Sequence, residues 1–126
     1  MQVLVLEDNL FFVTRLESKL RALGHAPVLA STLSKACELI AQKPDAVVVD
    51  LHAPGAVDFI GQAKDRSIPV IAFSGHLEVE IRRQAKAAGA DVLLANSELL
   101  SALDLVLTRI HVSLPPPGED FEPASS

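Results

Sequence analysis

The sequence predicts an α/β fold, a doubly wound five-stranded parallel sheet covered by helices on both faces. Three observations predict it. Short β-branched apolar runs alternate with longer runs of helical spacing, five times along the chain. The strand runs are mostly continuous apolar stretches rather than alternating ones, which suits strands buried on both sides. The links between them are short, so each helix returns the chain to a neighbouring parallel strand.

The elements follow in order. The first strand is QVLVLE (2–7), and the helix after it is LFFVTRLESKLRALG (10–24), with Val13, Leu16, Leu20 and Leu23 on one face and Gly24 closing it. APVLA (26–30) is the second strand; Ser31 or Thr32 then caps a helix that ends before Pro44. DAVVVD (45–50) is the third strand, with a short helix over 56–65. IPVIAFS (68–74) is the fourth, with Pro69 at its edge, and LEVEIRRQAKAAG (77–89) is a helix closed by Gly89. DVLLA (91–95) and the helix over 97–112 complete the fold. Phe11 and Phe12 point about 100° apart on a helix, so one of them is free to face outward.

Composition narrows the function. The chain has 126 residues, 49% hydrophobic and 21% charged, which suits one domain with a real core. A net charge of −5 leaves no basic face for nucleic acid. The single cysteine, Cys37, cannot make an internal disulfide and lies in a helical pattern, as a small core residue would. No signal segment or membrane-spanning apolar run is present, so a cytoplasmic protein without membrane contact is expected. After Val112 the text becomes SLPPPGEDFEPASS, which holds three of the five net negative charges. The expected division is therefore a folded domain over 1–112 and a disordered tail or linker over 113–126.

Acids close two of the strands. Glu7 and Asp8 end the first, and Asp50 ends the third. Ligands in an open parallel sheet bind outside the carboxyl ends of strands, where strand order reverses. Three carboxylates converging there repel one another, and a hard divalent cation such as Mg²⁺ relieves this with oxygen ligands. Taken singly, each has a plainer reading: Asp8 with Asn9 suits a helix N-cap, and Asp50 suits a turn cap. The fourth strand ends in Ser74, followed by Gly75, so a hydroxyl can donate to an anion that the glycine leaves room for. Ser74 also suits a helix cap.

The stretches LVLEDN, VVVDLHAPG, PVIAFSGH and GADVLLAN, in that order, resemble the CheY-like receiver domains of bacterial response regulators over residues 2 to 112. The resemblance implies a flavodoxin-like fold with strand order 2-1-3-4-5. It implies Asp50 as phosphoacceptor, Mg²⁺ held by Glu7, Asp8, Asp50 and the backbone carbonyl of His52, and Ser74 as the hydroxyl that senses the phosphoryl group. The implied partners are a histidine kinase or phosphotransfer protein and a downstream protein, met through the last two helices and fifth strand. A monomer or weak homodimer is expected, not an enzyme in its own right.

The sequence departs from that pattern in three places. Counting seven residues from Gly89, where receivers carry a lysine, gives Asn96, with Ser97 in place of the usual proline. Asn96 also suits the N-cap of the last helix. Leu93 stands where an aromatic is usual, and the loop after Asp50 is shorter than the family's and lacks its second glycine. Two readings thus stay open within the family: a phosphorylated receiver with altered output, and a pseudo-receiver acting as a phosphorylation-independent interaction module. Outside it, haloacid-dehalogenase-type phosphatases share the strand-end aspartate but need a second acid two residues on, where this chain has His52.

Overall fold

The computed structural model describes residues 1–112; the segment 113–126, expected as a tail, lies outside the described residues. Five strands form one parallel sheet: β1 (Gln2–Leu6), β2 (Ala26–Ala30), β3 (Ala46–Asp50), β4 (Val70–Ser74) and β5 (Val92–Ala95), in the order β2-β1-β3-β4-β5. Helices α1 (Leu10–Ala22), α2 (Leu33–Ile40), α3 (Ala56–Asp65), α4 (Val79–Ala88) and α5 (Leu99–Val112) connect or follow them. The expected class and strand order are both present.

Side chains alternate across a strand, so each central strand feeds two cores. Leu4, Leu6, Val47, Val49 and Leu93 pack against α2, α3 and α4, around Phe59 and Ile60. Val3, Val5, Val48, Phe73 and Leu94 pack against α1 and α5, around Leu16, Leu20, Leu103 and Leu107. Every residue of β3 and β4 is buried, which accounts for their uninterrupted apolar sequence. Cys37 is partly buried against the first core, as a small packing residue. Among the described residues no helix is long and apolar enough to cross a membrane.

Several element ends differ from the sequence reading. Helix α2 stops at Ile40, because Lys43 before Pro44 turns to a positive φ of 55° that no helix accommodates. Thr32, not Ser31, caps it, accepting from the Lys35 amide. Helix α4 begins at Val79, leaving Leu77 exposed in the preceding loop. Helix α5 begins at Leu99, so Glu98 and not Asn96 directly precedes it. The Asn96 amide instead extends the sheet, donating to the Ser74 carbonyl at 2.8 Å.

At the start of α3, Gly55 adopts φ +79°, and a Cβ there would lie 2.4 Å from Leu33 Cδ2. The left-handed backbone favours glycine, and any larger residue would also make the Leu33 side chain shift. It lets α3 start right after the residue 51–55 loop, which keeps that loop short.

Candidate functional site

The site forms where β1 and β3 end side by side. Leu6 pairs with Val49 across the two strands, so the next residues, Glu7 and Asp50, emerge as neighbours. This is also the point where the sheet order reverses, β2 lying to one side of β1 and β3 to the other. Glu7, Asp8 and Asp50 each offer a carboxylate oxygen, and these oxygens lie within 4.8 Å of one another. Glu7 and Asp50 are buried, while Asp8 is exposed.

The local backbone holds both buried acids. Glu7 Oε1 accepts from the Asn9 amide at 2.9 Å, and Asp50 Oδ1 accepts from the His52 amide at the same distance. Asn9 is the N-cap of α1, its Oδ1 accepting from Phe11 at 2.9 Å and Phe12 at 3.4 Å. The capping expected of Asp8 with Asn9 therefore falls to Asn9 alone, which leaves Asp8 facing solvent. Phe12 packs on Phe73, with ring centroids 5.7 Å apart, while Phe11 faces outward under the Arg15 guanidinium.

Glu7 Oε2 is buried with no hydrogen-bond partner. It has no donor to meet, and a bond between it and Asp50 requires one of the two carboxyls to carry a proton. Burial, followed by the neighbouring Asp50, pushes the Glu7 carboxyl up to about 8. An orphaned carboxylate oxygen beside two other acids matches an oxygen-ligand cation such as Mg²⁺.

Ser74 ends β4 and is fully buried. Its hydroxyl donates to the Gly75 carbonyl at 3.1 Å and accepts from Arg82 Nη1 at 3.3 Å. It does not cap α4, whose flanking residue is Glu78. Arg82 Nη1 also donates to the Leu94 carbonyl at 3.1 Å, tying α4 to the edge strand β5.

A second chain of groups crosses from the β3–α3 loop to the β4–α4 loop. His52 Nδ1 lies 3.3 Å from Asp50 Oδ1, and its Nε2 bonds Glu78 Oε1. Glu78 Oε2 in turn accepts from the Gly75 amide at 2.9 Å. The Glu78 carboxylate raises the His52 imidazole above its ordinary range, and His52 lowers Glu78 in return.

Solved structures share this arrangement of strands and helices. The receiver domain of sensor histidine kinase PA1611 from Pseudomonas aeruginosa PAO1, which has a magnesium ion coordinated in its active-site cleft, is 26% identical. It matches with a TM-score of 0.77 over 89% of this chain and 98% of its own. A response regulator receiver domain protein from Clostridium thermocellum is 19% identical, with a TM-score of 0.78 over 86% of this chain and 92% of its own. The chemotaxis protein CheY4 of Vibrio cholerae is 19% identical, with a TM-score of 0.76 over 86% and 97%. This is the CheY-like receiver fold. No protein-family model and no curated protein matches the chain.

Within the receiver fold, the residues expected at the site divide into two groups. Glu7, Asp8 and Asp50 come together, with His52 against Asp50. Ser74 and Asn96 lie next to each other through the Asn96 amide and the Ser74 carbonyl. Leu93, at the usual aromatic position, is buried in the core beside α4. Sequence reading overlooked Glu78 and Arg82. Both lie on the stripe 78-81-82-85-88 that turns α4 toward the protein, since these residues are all buried or half-buried. A charge on the inward stripe of an amphipathic helix was the available signal.

Proposed function

We propose that this chain is a phosphoryl-accepting receiver of two-component signal transduction, with Asp50 as the acceptor. The observation that carries the reading is the cluster of Glu7, Asp8 and Asp50 carboxylates at the adjoining ends of β1 and β3, with Glu7 Oε2 left unpartnered. The magnesium-bearing cleft of the Pseudomonas receiver supports it.

Glu7, Asp8, Asp50 and the His52 backbone carbonyl would hold Mg²⁺, which supplies charge neutralisation to phosphoryl oxygens. An Asp50 oxygen attacks the phosphorus of a phosphohistidine on a kinase or phosphotransfer protein. The new P–O bond forms as the P–N bond breaks, and the electron pair returns to the donor imidazole nitrogen. The buried β3 strand keeps the nucleophile fixed, and the His52 amide on Oδ1 orients it. Ser74 turns from the Gly75 carbonyl to donate to the acquired phosphoryl group.

Signalling then runs through protein contact on the α4–β5–α5 side, within a folded unit over 1–112, in the cytoplasm. Helices α4 and α5 each present an exposed large apolar residue there, Val79 and Leu105. A phosphorylation-independent pseudo-receiver is the second reading. It is favoured by the neutral Asn96 at the lysine position and by Leu93, a core residue without the rotating ring of the family's aromatic.

Intact-mass spectrometry after incubation with Mg²⁺ and a small-molecule phosphodonor tests the choice. A gain of one phosphoryl group in the parent, absent in Asp50→Asn, is expected. No gain under conditions that modify an ordinary receiver would select the pseudo-receiver. A generic phosphate ester left unhydrolysed would set aside the phosphatase alternative.

A further inference from the structure

We propose that Glu78 is an internal occupant of the anion position beside Asp50, and that a phosphoryl group must displace its carboxylate for the site to charge. The proposal rests on the acceptor reading above and adds a specific competitor to it.

Glu78 immediately precedes α4, yet its side chain makes no capping bond to that helix. It reaches back across the loop instead. One oxygen takes the Gly75 amide at 2.9 Å, and the other takes the His52 ring that touches Asp50. Gly75 lacks a Cβ, and the space one would fill is closed by Glu78 Oε2, which would lie 3.1 Å from it. The opening that a glycine leaves next to the Ser74 hydroxyl is thus filled by a carboxylate of this chain.

The chemistry of that position suits an anion. A backbone N–H that already donates to a carboxylate oxygen is oriented to meet a phosphoryl oxygen, and the adjacent hydroxyl can turn toward the same group. An incoming phosphoryl group finds the amide and the imidazole engaged, and meets a further carboxylate near the acidic cluster of Glu7, Asp8 and Asp50. The side chain of Glu78 is 39% exposed, and an ion pair so placed contributes little to the fold. Glu78 can therefore leave without unfolding anything, which is what a displaceable occupant requires. A different role, as a buttress keeping His52 cationic for the phosphoryl group, predicts the opposite sign when Glu78 is removed.

Calorimetric titration of the full chain with beryllofluoride, a phosphoryl mimic, at saturating Mg²⁺ separates these. Parent, Glu78→Gln, Glu78→Ala and Asp50→Asn are compared, with circular dichroism confirming the fold of each. Glu78→Ala should bind roughly tenfold more tightly than the parent, from freed donors and removed repulsion. Glu78→Gln, which keeps an acceptor oxygen but loses the charge, should fall between them. Affinity for Mg²⁺ alone should change far less. Equal or weaker beryllofluoride binding by Glu78→Ala, with the parent binding normally, would overturn the proposal and leave the acceptor reading intact. Absence of binding in the parent and in both Glu78 variants would remove the acceptor reading, and this inference with it.

Discussion

The Glu7 carboxyl lies buried beside that of Asp50, one residue past the Leu6–Val49 pair that joins the two strands. Parallel pairing in that register turns two acids 43 residues apart in the chain into one electrostatic unit.

A pH dependence of stability follows from this pair. In the folded chain Glu7 titrates near 8, against an ordinary 4.5. The folded state thus binds a proton that the unfolded state has released. The Glu7 contribution is full below the ordinary value and is lost as pH rises through about 8. Urea denaturation of the metal-free protein should show stability falling across that window, and Glu7→Gln should flatten the fall. Mg²⁺ should offset it, since the ionised carboxylate is the form that binds a cation. A metal-free stability that rises from pH 5 to 8 in parallel for parent and Glu7→Gln would contradict the buried, protonated Glu7.

Asn96→Lys should restore a cation to the pocket. The Asn96 amide is held to the Ser74 carbonyl at 2.8 Å, so position 96 stands at the same end of the sheet as Ser74 and Asp50. An ammonium there should tighten beryllofluoride binding by roughly tenfold or more, as charge-assisted hydrogen bonds do. It should also speed the phosphodonor-driven mass gain. An unchanged affinity would mean that residue 96 does not reach the anion.

Gly55→Ala should destabilise the fold by about 1–3 kcal/mol, through both a strained left-handed backbone angle and a close contact. The angle is φ +79°, and the clash is with Leu33 Cδ2 at 2.4 Å. Adding Leu33→Ala should relieve the clash but not the angle. A double-mutant cycle by chemical denaturation would read the first as a coupling energy. Additive effects would show that only the backbone angle matters.

The sequence by itself determined the architecture. Short, β-branched continuous apolar runs such as AVVVD and VIAFS suit strands buried on both faces, and their alternation with helical stripes such as Leu16–Leu20 leaves a parallel sheet as the natural outcome. It also marked the candidate acids, because Glu7, Asp8 and Asp50 close two such strands as a set, although Asp8 or Asp50 alone reads equally as a cap. Element ends were less legible. Asn96 resembled a helix cap until the sheet claimed its amide, since a capping residue reads alike one turn early or late.

Only the tertiary structure decided how the acids were used. Whether Glu7 is charged depends on its burial next to Asp50, and that is fixed by strand register. The reach of Glu78 to Gly75 and His52, and of Arg82 to Ser74 and Leu94, depends on how α4 lies against β4 and β5. Local sequence sets periodicity and caps, which are short-range. Charges meeting across 26 residues, as His52 and Glu78 do, are set by the packing of separate elements, and only the folded chain brings them together.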